Sequence, residues 1–247
     1  FEWLEDGALA RSEAVLTICP ELADYALSRA PIEGRHILIE NSIFEPIRLR
    51  ESTSQGVPSD EPQPLPVDQP LVYYAGTFET YQGINIVIDA FARLREKRPD
   101  VYLLMAGGNP DQVGQYRAMA SELGLDGHCL FTGTISKALA QHYQGLASVL
   151  LSPRTAGMNT PLKVYELLAS GTPLVATRIP SHTQVLNDEV CILTEPEAGA
   201  MAEGILAALD DDSRRSAIVR AAQELYRREY SRPVYVKKMR KVLELLR

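Results

Sequence analysis

Clustered cysteine and histidine, long apolar runs and positive net charge are all missing from this 247-residue sequence, and each absence closes a class of explanation. The three cysteines, Cys19, Cys129 and Cys191, stand far apart in apolar surroundings such as VLTIC and EVCIL. They read as reduced core residues, with neither a disulfide frame nor a zinc site. No Cys/His/Asp cluster falls at ligand spacing, so no protein-held metal is expected, and His36, His128 and His142 read as structural. No apolar run approaches the roughly 18 residues of a spanning helix, and no charged-then-apolar leader opens the chain. A GxSxG elbow is absent as well, which leaves serine-nucleophile hydrolysis without support. The formal net charge of −7 argues against nucleic acid or an anionic membrane as a bulk partner. Any anion bound here must be held by a local cluster. The first residue is not Met and the chain opens in mid-helix by pattern, so the expectation is a piece of something longer. The expected setting is cytoplasmic, with peripheral contact at the inner face of a membrane as the alternative.

What is present is a 45% apolar composition, enough to bury a sizeable core in one or two domains. A first segment reads as helix (2–11), strand AVLTIC, helix PELADYALSRA and strand HILIEN. The proline-rich stretch ESTSQGVPSDEPQPLPVDQP has no period and reads as a linker. Beyond it, apolar runs LVYYAG, VYLLMAG, CLFTG, SVLLSP, TPLVAT and VCILT alternate with helical stretches. In one of those, Ile84, Val87, Ile88, Phe91 and Leu94 recur at three- and four-residue steps, the mark of one buried helix face. Continuous apolar strands between amphipathic helices predict an α/β fold: a Rossmann-like parallel six-stranded sheet with helices on both faces. A basic helix, RPVYVKKMRKVLELLR, closes the chain.

Ligands of such sheets sit beyond the carboxyl ends of the strands. The loops to inspect are therefore AGTFETYQG, AGGNP, TGTIS, SPRTAGMNTPLK and TRIPSHTQ. In the fourth, Thr160 and Pro161 predict an N-cap and a first helical residue. Arg154 and Lys163 stand near that helix start, where a cation is unfavourable unless an anion is also bound. Two cations beside free N–H groups suit a diphosphate. Glu166, one turn later, can accept two hydrogen bonds from a diol; phosphate beside a diol describes a nucleotide. The competing reading is a solvated Lys163–Glu166 pair worth a few tenths of a kcal/mol. The first loop, with Gly76, resembles a weak phosphate loop but lacks a full GxGxxG. His182 and Thr183 stand at the start of an expected helical stretch, HTQVLND (182–188), and their place at a strand end makes them candidates to border the ligand.

Together, LVYYAGTFETYQGINIVIDAFARL, VYLLMAGG, LFTGTI, SVLLSPRTAGMNTPLKVYELLASGTPLVAT and AALDDDSRRSAIVRAAQEL resemble the C-terminal, donor-binding half of the retaining GT-B glycosyltransferases (group 1, family four). AVLTICPELADYAL and HILIENSIFEP resemble the tail of their N-terminal domain. The resemblance implies residues 1–45 as the end of an acceptor domain, 46–70 as linker, 71–232 as the donor-binding domain and 233–247 as a crossover helix. It implies transfer of a sugar from a nucleotide diphosphate sugar to a saccharide or lipid-linked acceptor, with retained configuration, no cofactor and no obligatory metal. On that likeness Glu166 matches the second glutamate of the family's paired motif and holds the ribose. The first glutamate belongs eight residues earlier, where Met158 stands, and Asn159 and Thr160 are expected to share its role. The family's phosphate-binding Arg and Lys correspond to Thr77 and Gln82, both neutral, which leaves Arg154 and Lys163 to supply the charge. Gly133 to Ile135 match the segment at the base. The reacting histidine belongs to the acceptor domain, so this chain alone is expected to bind donor and to transfer little or nothing. The alternatives are a GT-B epimerase, a non-catalytic nucleotide-binding or regulatory module of the same fold, and a generic flavodoxin-like domain.

Overall fold

The structure is a computed structural model describing residues 2–40, 63–66 and 68–247. Most of the 46–70 linker therefore lies outside the described residues.

The first segment runs α1 (Glu2–Arg11), β1 (Val15–Thr17), α2 (Pro20–Arg29) and β2 (His36–Leu38). Pro20 opens α2, where its missing N–H costs no helical hydrogen bond. The two strands pair in parallel, Val15 opposite His36, over a small core of Val15, Ala26, Ala30 and Ile32.

The second unit is larger. It comprises β3 (Leu71–Ala75), α3 (Ile84–Lys97), β4 (Tyr102–Ala106), α4 (Pro110–Glu122), β5 (Cys129–Gly133), α5 (Lys137–Leu146), β6 (Val149–Ser152) and α6 (Lys163–Ala169). β7 (Leu174–Thr177), α7 (Pro180–Thr183), β8 (Ile192–Thr194), α8 (Ala198–Asp210), α9 (Asp212–Leu225) and α10 (Arg232–Leu245) follow. The six strands from β3 form one wholly parallel sheet in the order β5-β4-β3-β6-β7-β8.

Alternation along each strand divides the core in two. Val72, Tyr74, Leu103, Met105, Val149 and Leu151 pack on one face with the apolar stripe of α3 and with Met201 and Ile205 of α8. Leu71, Tyr73, Leu104, Leu150 and Leu174 pack on the other with Tyr143 of α5 and Val164 and Leu168 of α6. Each fully buried large apolar side chain contributes about 2 kcal/mol, so both faces must be covered for the sheet to be stable. After α9 comes a five-residue π turn (Tyr226–Tyr230). Tyr230 packs tilted against Tyr165 of α6, ring centroids 4.8 Å apart. α10 then runs back to the first segment, where Lys238 pairs with Glu40.

Two helical expectations are corrected. The helix expected from Thr160 and Pro161 starts only at Lys163, and the one expected over 182–188 is a four-residue turn, Pro180–Thr183.

Gly107 shows how tightly the strand ends are held. Its φ is +128°, and a Cβ there would come within 1.7 Å of the Gly76 carbonyl oxygen. Gly107→Ala is therefore expected to cost about 2 kcal/mol, read as a lowered urea midpoint. An unchanged midpoint would contradict this packing of the two loops.

Candidate functional site

The strand order reverses between β3 and β6. From β3 the chain builds outward through β4 and β5, then returns to the opposite side of β3 for β6, β7 and β8. Helices on either side of such a reversal diverge and leave a crevice at the carboxyl ends of the strands. Here it is a cleft of about 680 Å³, walled by the ends of β3 and β6, by α5 and by the entry to α6.

Four charged side chains set its chemistry. Lys163 lies at the mouth, but its amine turns back onto the Ala75 carbonyl at the end of β3, 2.5 Å away. Desolvation there lowers its pKa below the ordinary lysine value, while Glu166 acts in the opposite sense. Arg154 follows β6; its guanidinium lies over the Tyr81 ring at 5.1 Å and donates to the Asn159 carbonyl at 3.0 Å. Its Nε is buried without a hydrogen-bond partner among the described residues. Glu166 pairs with Lys137 of α5 across the cleft, at 3.7 Å, rather than with Lys163. Three cations and one carboxylate therefore surround the cleft of a chain whose net charge is −7. This local excess is what an anionic ligand requires.

Of the residues expected from sequence, Gly76, Thr77, Gln82, Ile135, Arg154, Lys163 and Glu166 line this cleft. The neutral pair Thr77 and Gln82 face one another, Gln82 Nε2 donating to Thr77 Oγ1 at 3.4 Å. The other expected residues stand elsewhere. Gly133 ends β5, its carbonyl accepting from the Gly107 N–H at 2.8 Å. Asn159 is exposed and turns to the first segment, where the Cys19 thiol lies 3.9 Å from its Oδ1. Thr160 does not cap the helix: its side chain is buried, and Leu162 occupies the cap position without a side-chain hydrogen bond. Arg154 holds the loop ahead of the helix through the Asn159 carbonyl, and the first turn closes with the Val164 N–H on the Pro161 carbonyl at 3.0 Å.

His182 lies behind the end of β6. It is fully buried and does not line the cleft, and both ring nitrogens are engaged. Nδ1 donates to the Thr177 carbonyl at 2.8 Å, and Nε2 lies 2.8 Å from Ser152 Oγ. Burial pushes its pKa down to about 4, with the nearby Arg154 charge adding to the effect and the Thr177 carbonyl opposing it. Thr183 is exposed and donates back to the Ile179 carbonyl at 3.3 Å.

Sequence reasoning missed Tyr73, Tyr74, Tyr81, Lys137, Gln141, Gln144 and Ser152 in the cleft wall. Tyr73 and Tyr74 look like strand core, and Lys137, Gln141 and Gln144 look like a solvated helix face. The i, i+4, i+7 spacing of those three on α5 was the one available signal. Among the described residues no group of three His, Cys, Asp or Glu side chains is placed to hold a metal ion, and no helix is long and apolar enough to cross a membrane.

Comparison with known proteins bears on the family and the fold. Phosphatidyl-myo-inositol mannosyltransferase of Mycobacterium tuberculosis is 31% identical over 165 residues, 64% of this chain and 42% of that protein. D-inositol 3-phosphate glycosyltransferase of Xylanimonas cellulosilytica is 27% identical over 231 residues, 91% of this chain and 55% of that protein. The chain thus spans about half the length of these relatives. Among solved structures, a glycosyltransferase from Rickettsia africae covers the whole chain with a TM-score of 0.77 at 17% identity, and the chain covers 67% of it. Sucrose-phosphate synthase from Thermosynechococcus elongatus matches 99% of the chain at a TM-score of 0.75 and 22% identity, the chain covering 61% of it. Anabaena HepE in complex with UDP and glucose matches 99% at 0.73 and 17% identity, the chain covering 66% of it. At such identities these three likenesses are of fold, the GT-B fold. The profile of the family "Glycosyl transferases group 1" matches residues 58–225, more than half of the sequence, and the chain belongs to that family.

Proposed function

We propose that this chain is the donor-binding part of a glycosyltransferase and holds a nucleotide diphosphate sugar in the cleft between β3 and β6. Lys163 and Arg154 face the diphosphate, Glu166 accepts from the ribose hydroxyls, and the base lies toward Ile135. The observation that carries this reading is the exposed Lys163 side chain, its amine turned onto the Ala75 carbonyl three residues before a carboxylate, at the point where strand order reverses. An ammonium has three N–H donors and only one is used on that carbonyl, so the others are free for a phosphate oxygen in the cleft. The two cations take up the diphosphate charge, so the reading calls on no protein-held metal. The sugar passes, with retained configuration, to an acceptor held largely by a part of the protein beyond this chain. The relatives' names point to an acceptor carrying an inositol phosphate or phosphatidylinositol group. That setting is the cytoplasmic side of a membrane, touched peripherally. Alone, this chain binds donor and transfers little, because the acceptor has to be positioned as well.

Calorimetric titration with UDP, GDP and ADP tests the reading: one of them is expected to bind, and no binding of any at millimolar concentration would overturn it. Glu166→Ala is expected to weaken binding of that nucleotide about tenfold, through loss of charge-assisted hydrogen bonds to the diol, and to leave its 2′,3′-dideoxy analogue unaffected. Equal loss with both would remove Glu166 from the ribose.

A second reading is favoured by Met158, which stands exposed where the resemblance asks for a glutamate, and by the neutral Thr77–Gln82 pair. On that reading the module binds nucleotide without supporting transfer. Assaying the longer protein with radiolabelled nucleotide sugars separates the two, since a regulatory module forms no glycosylated product.

A further inference from the structure

Ser152 ends β6 and lines the cleft, and its hydroxyl is the only polar group there that meets a fully buried imidazole among the described residues. The hydrogen-bond directions along this chain of groups are determined by chemistry. A carbonyl oxygen can only accept, so the 2.8 Å contact between His182 Nδ1 and the Thr177 carbonyl requires the proton on Nδ1. The Thr177 hydroxyl, 3.1 Å from the same nitrogen, donates onward to the Arg154 carbonyl and so offers Nδ1 only a lone pair. In the neutral ring Nε2 then carries a lone pair, and the 2.8 Å contact with Ser152 is a donation from the serine O–H to the histidine. The serine proton is used up inside the protein. What remains for the cleft is a pair of lone pairs.

Resting on the donor-binding reading above, we infer that Ser152 is a specificity-determining acceptor that takes a hydrogen bond from an O–H group of the bound donor, and that His182 is the positioning residue that fixes it in that role. A freely rotating hydroxyl could donate to a phosphate oxygen as readily as accept from a sugar. The Ser152 hydroxyl, held by His182, repels phosphate oxygens and selects a group that brings its own proton. It thereby complements Arg154, two residues on, whose N–H groups can only donate. The O–H can come from the ribose or from the transferred sugar, and the experiment separates these sources.

The same geometry looks like an activated nucleophile, but the chemistry does not follow. A general base must take up a proton near the working pH, and a fully buried imidazole with its pKa depressed to about 4 is a poor one. No carboxylate orients its Nδ1; a main-chain carbonyl does. The arrangement fixes a hydroxyl rather than ionising it.

The test is a double-mutant cycle read by calorimetry on the 247-residue chain, with UDP, GDP, UDP-glucose and GDP-mannose as probes. Ser152→Ala is expected to weaken binding of the recognised probe by about fivefold to tenfold, the loss of one neutral hydrogen bond. Loss with both the diphosphate and its sugar conjugate assigns the ribose; loss with the conjugate alone assigns the transferred sugar. His182→Asn keeps a donor for the Thr177 carbonyl but no longer reaches Ser152, so the serine hydroxyl rotates freely. It should weaken the same probe in the unmutated background and have no further effect in the Ser152→Ala background. A merely structural histidine would weaken binding equally in both, and that result overturns its positioning role. Unchanged affinity in Ser152→Ala, with the unmutated chain still binding, overturns the assignment of Ser152 and leaves the donor-binding reading intact. Failure of the unmutated chain to bind any probe sinks both.

Discussion

Replacing Lys163 by methionine is expected to weaken nucleoside diphosphate binding by roughly tenfold to a hundredfold while leaving the stability of the folded chain unchanged. The separation follows from how the amine is held. Its sole described hydrogen bond is to the Ala75 carbonyl, and desolvation already works against its charge, as the lowered pKa shows. Removing a charge that the fold under-compensates costs the folded state little, and methionine keeps the unbranched stem against the cleft wall. A bound diphosphate, in contrast, loses a charge-assisted hydrogen bond in a partly dehydrated crevice. Titration calorimetry and urea denaturation on the same variant check both halves. A variant that binds as before would remove Lys163 from the phosphate. One that binds weakly only because it is unfolded would show it in the denaturation curve.

The second large effect is one of pH on stability, and it comes from His182. Its folded pKa, about 4, lies below the ordinary value of 6.5, because the buried ring cannot be protonated without losing solvation close to the Arg154 charge. Above pH 6.5 the ring is neutral in both folded and unfolded chains, and the full stability is present. Between 6.5 and about 4 only the unfolded chain takes up the proton, so stability falls as pH falls. Below 4 both forms are protonated and this dependence ends. The loss across the window is on the order of 3 kcal/mol. Acidic residues titrate in part of the same range, so the measurement is the difference in unfolding free energy between the unmutated chain and His182→Asn at pH 7, 5.5 and 4.5. That difference should shrink steadily with acidification. Parallel profiles would mean that the histidine is solvated or already charged.

How far the site was legible in sequence can be judged from the same residues. Six apolar runs separated by amphipathic stretches specify a parallel sheet, and the period of Ile84, Val87, Ile88, Phe91 and Leu94 specifies the stripe that covers it. The cleft's position follows from the general rule about strand ends, and Lys163 and Glu166 stood out as charges in apolar surroundings. What could not be read was anything set by a distant partner. Thr160 and Pro161 carry a good local signature for a helix start, but the Thr160 side chain is buried and the first turn closes further on, with the Val164 N–H on the Pro161 carbonyl. Glu166 finds Lys137, 29 positions earlier in the chain, because the return to β6 brings α5 beside α6. His182 turns inward onto the Ser152 hydroxyl and the buried Thr177 carbonyl, and no spacing in RIPSHTQVL records that. The missed tyrosines illustrate the opposite case: side chains that pack as core along most of a strand and become site wall at its end.

The most direct measurement is a crystal structure of this chain soaked with the nucleoside diphosphate that calorimetry selects. The ligand should span the reversal point between β3 and β6, its phosphate oxygens about 3 Å from Lys163 Nζ and the Arg154 guanidinium, its ribose on Glu166. A crevice left vacant at saturating ligand, or a nucleotide lodged instead in a second cavity of about 370 Å³ lined by Tyr102, His142 and Leu146, would contradict the account.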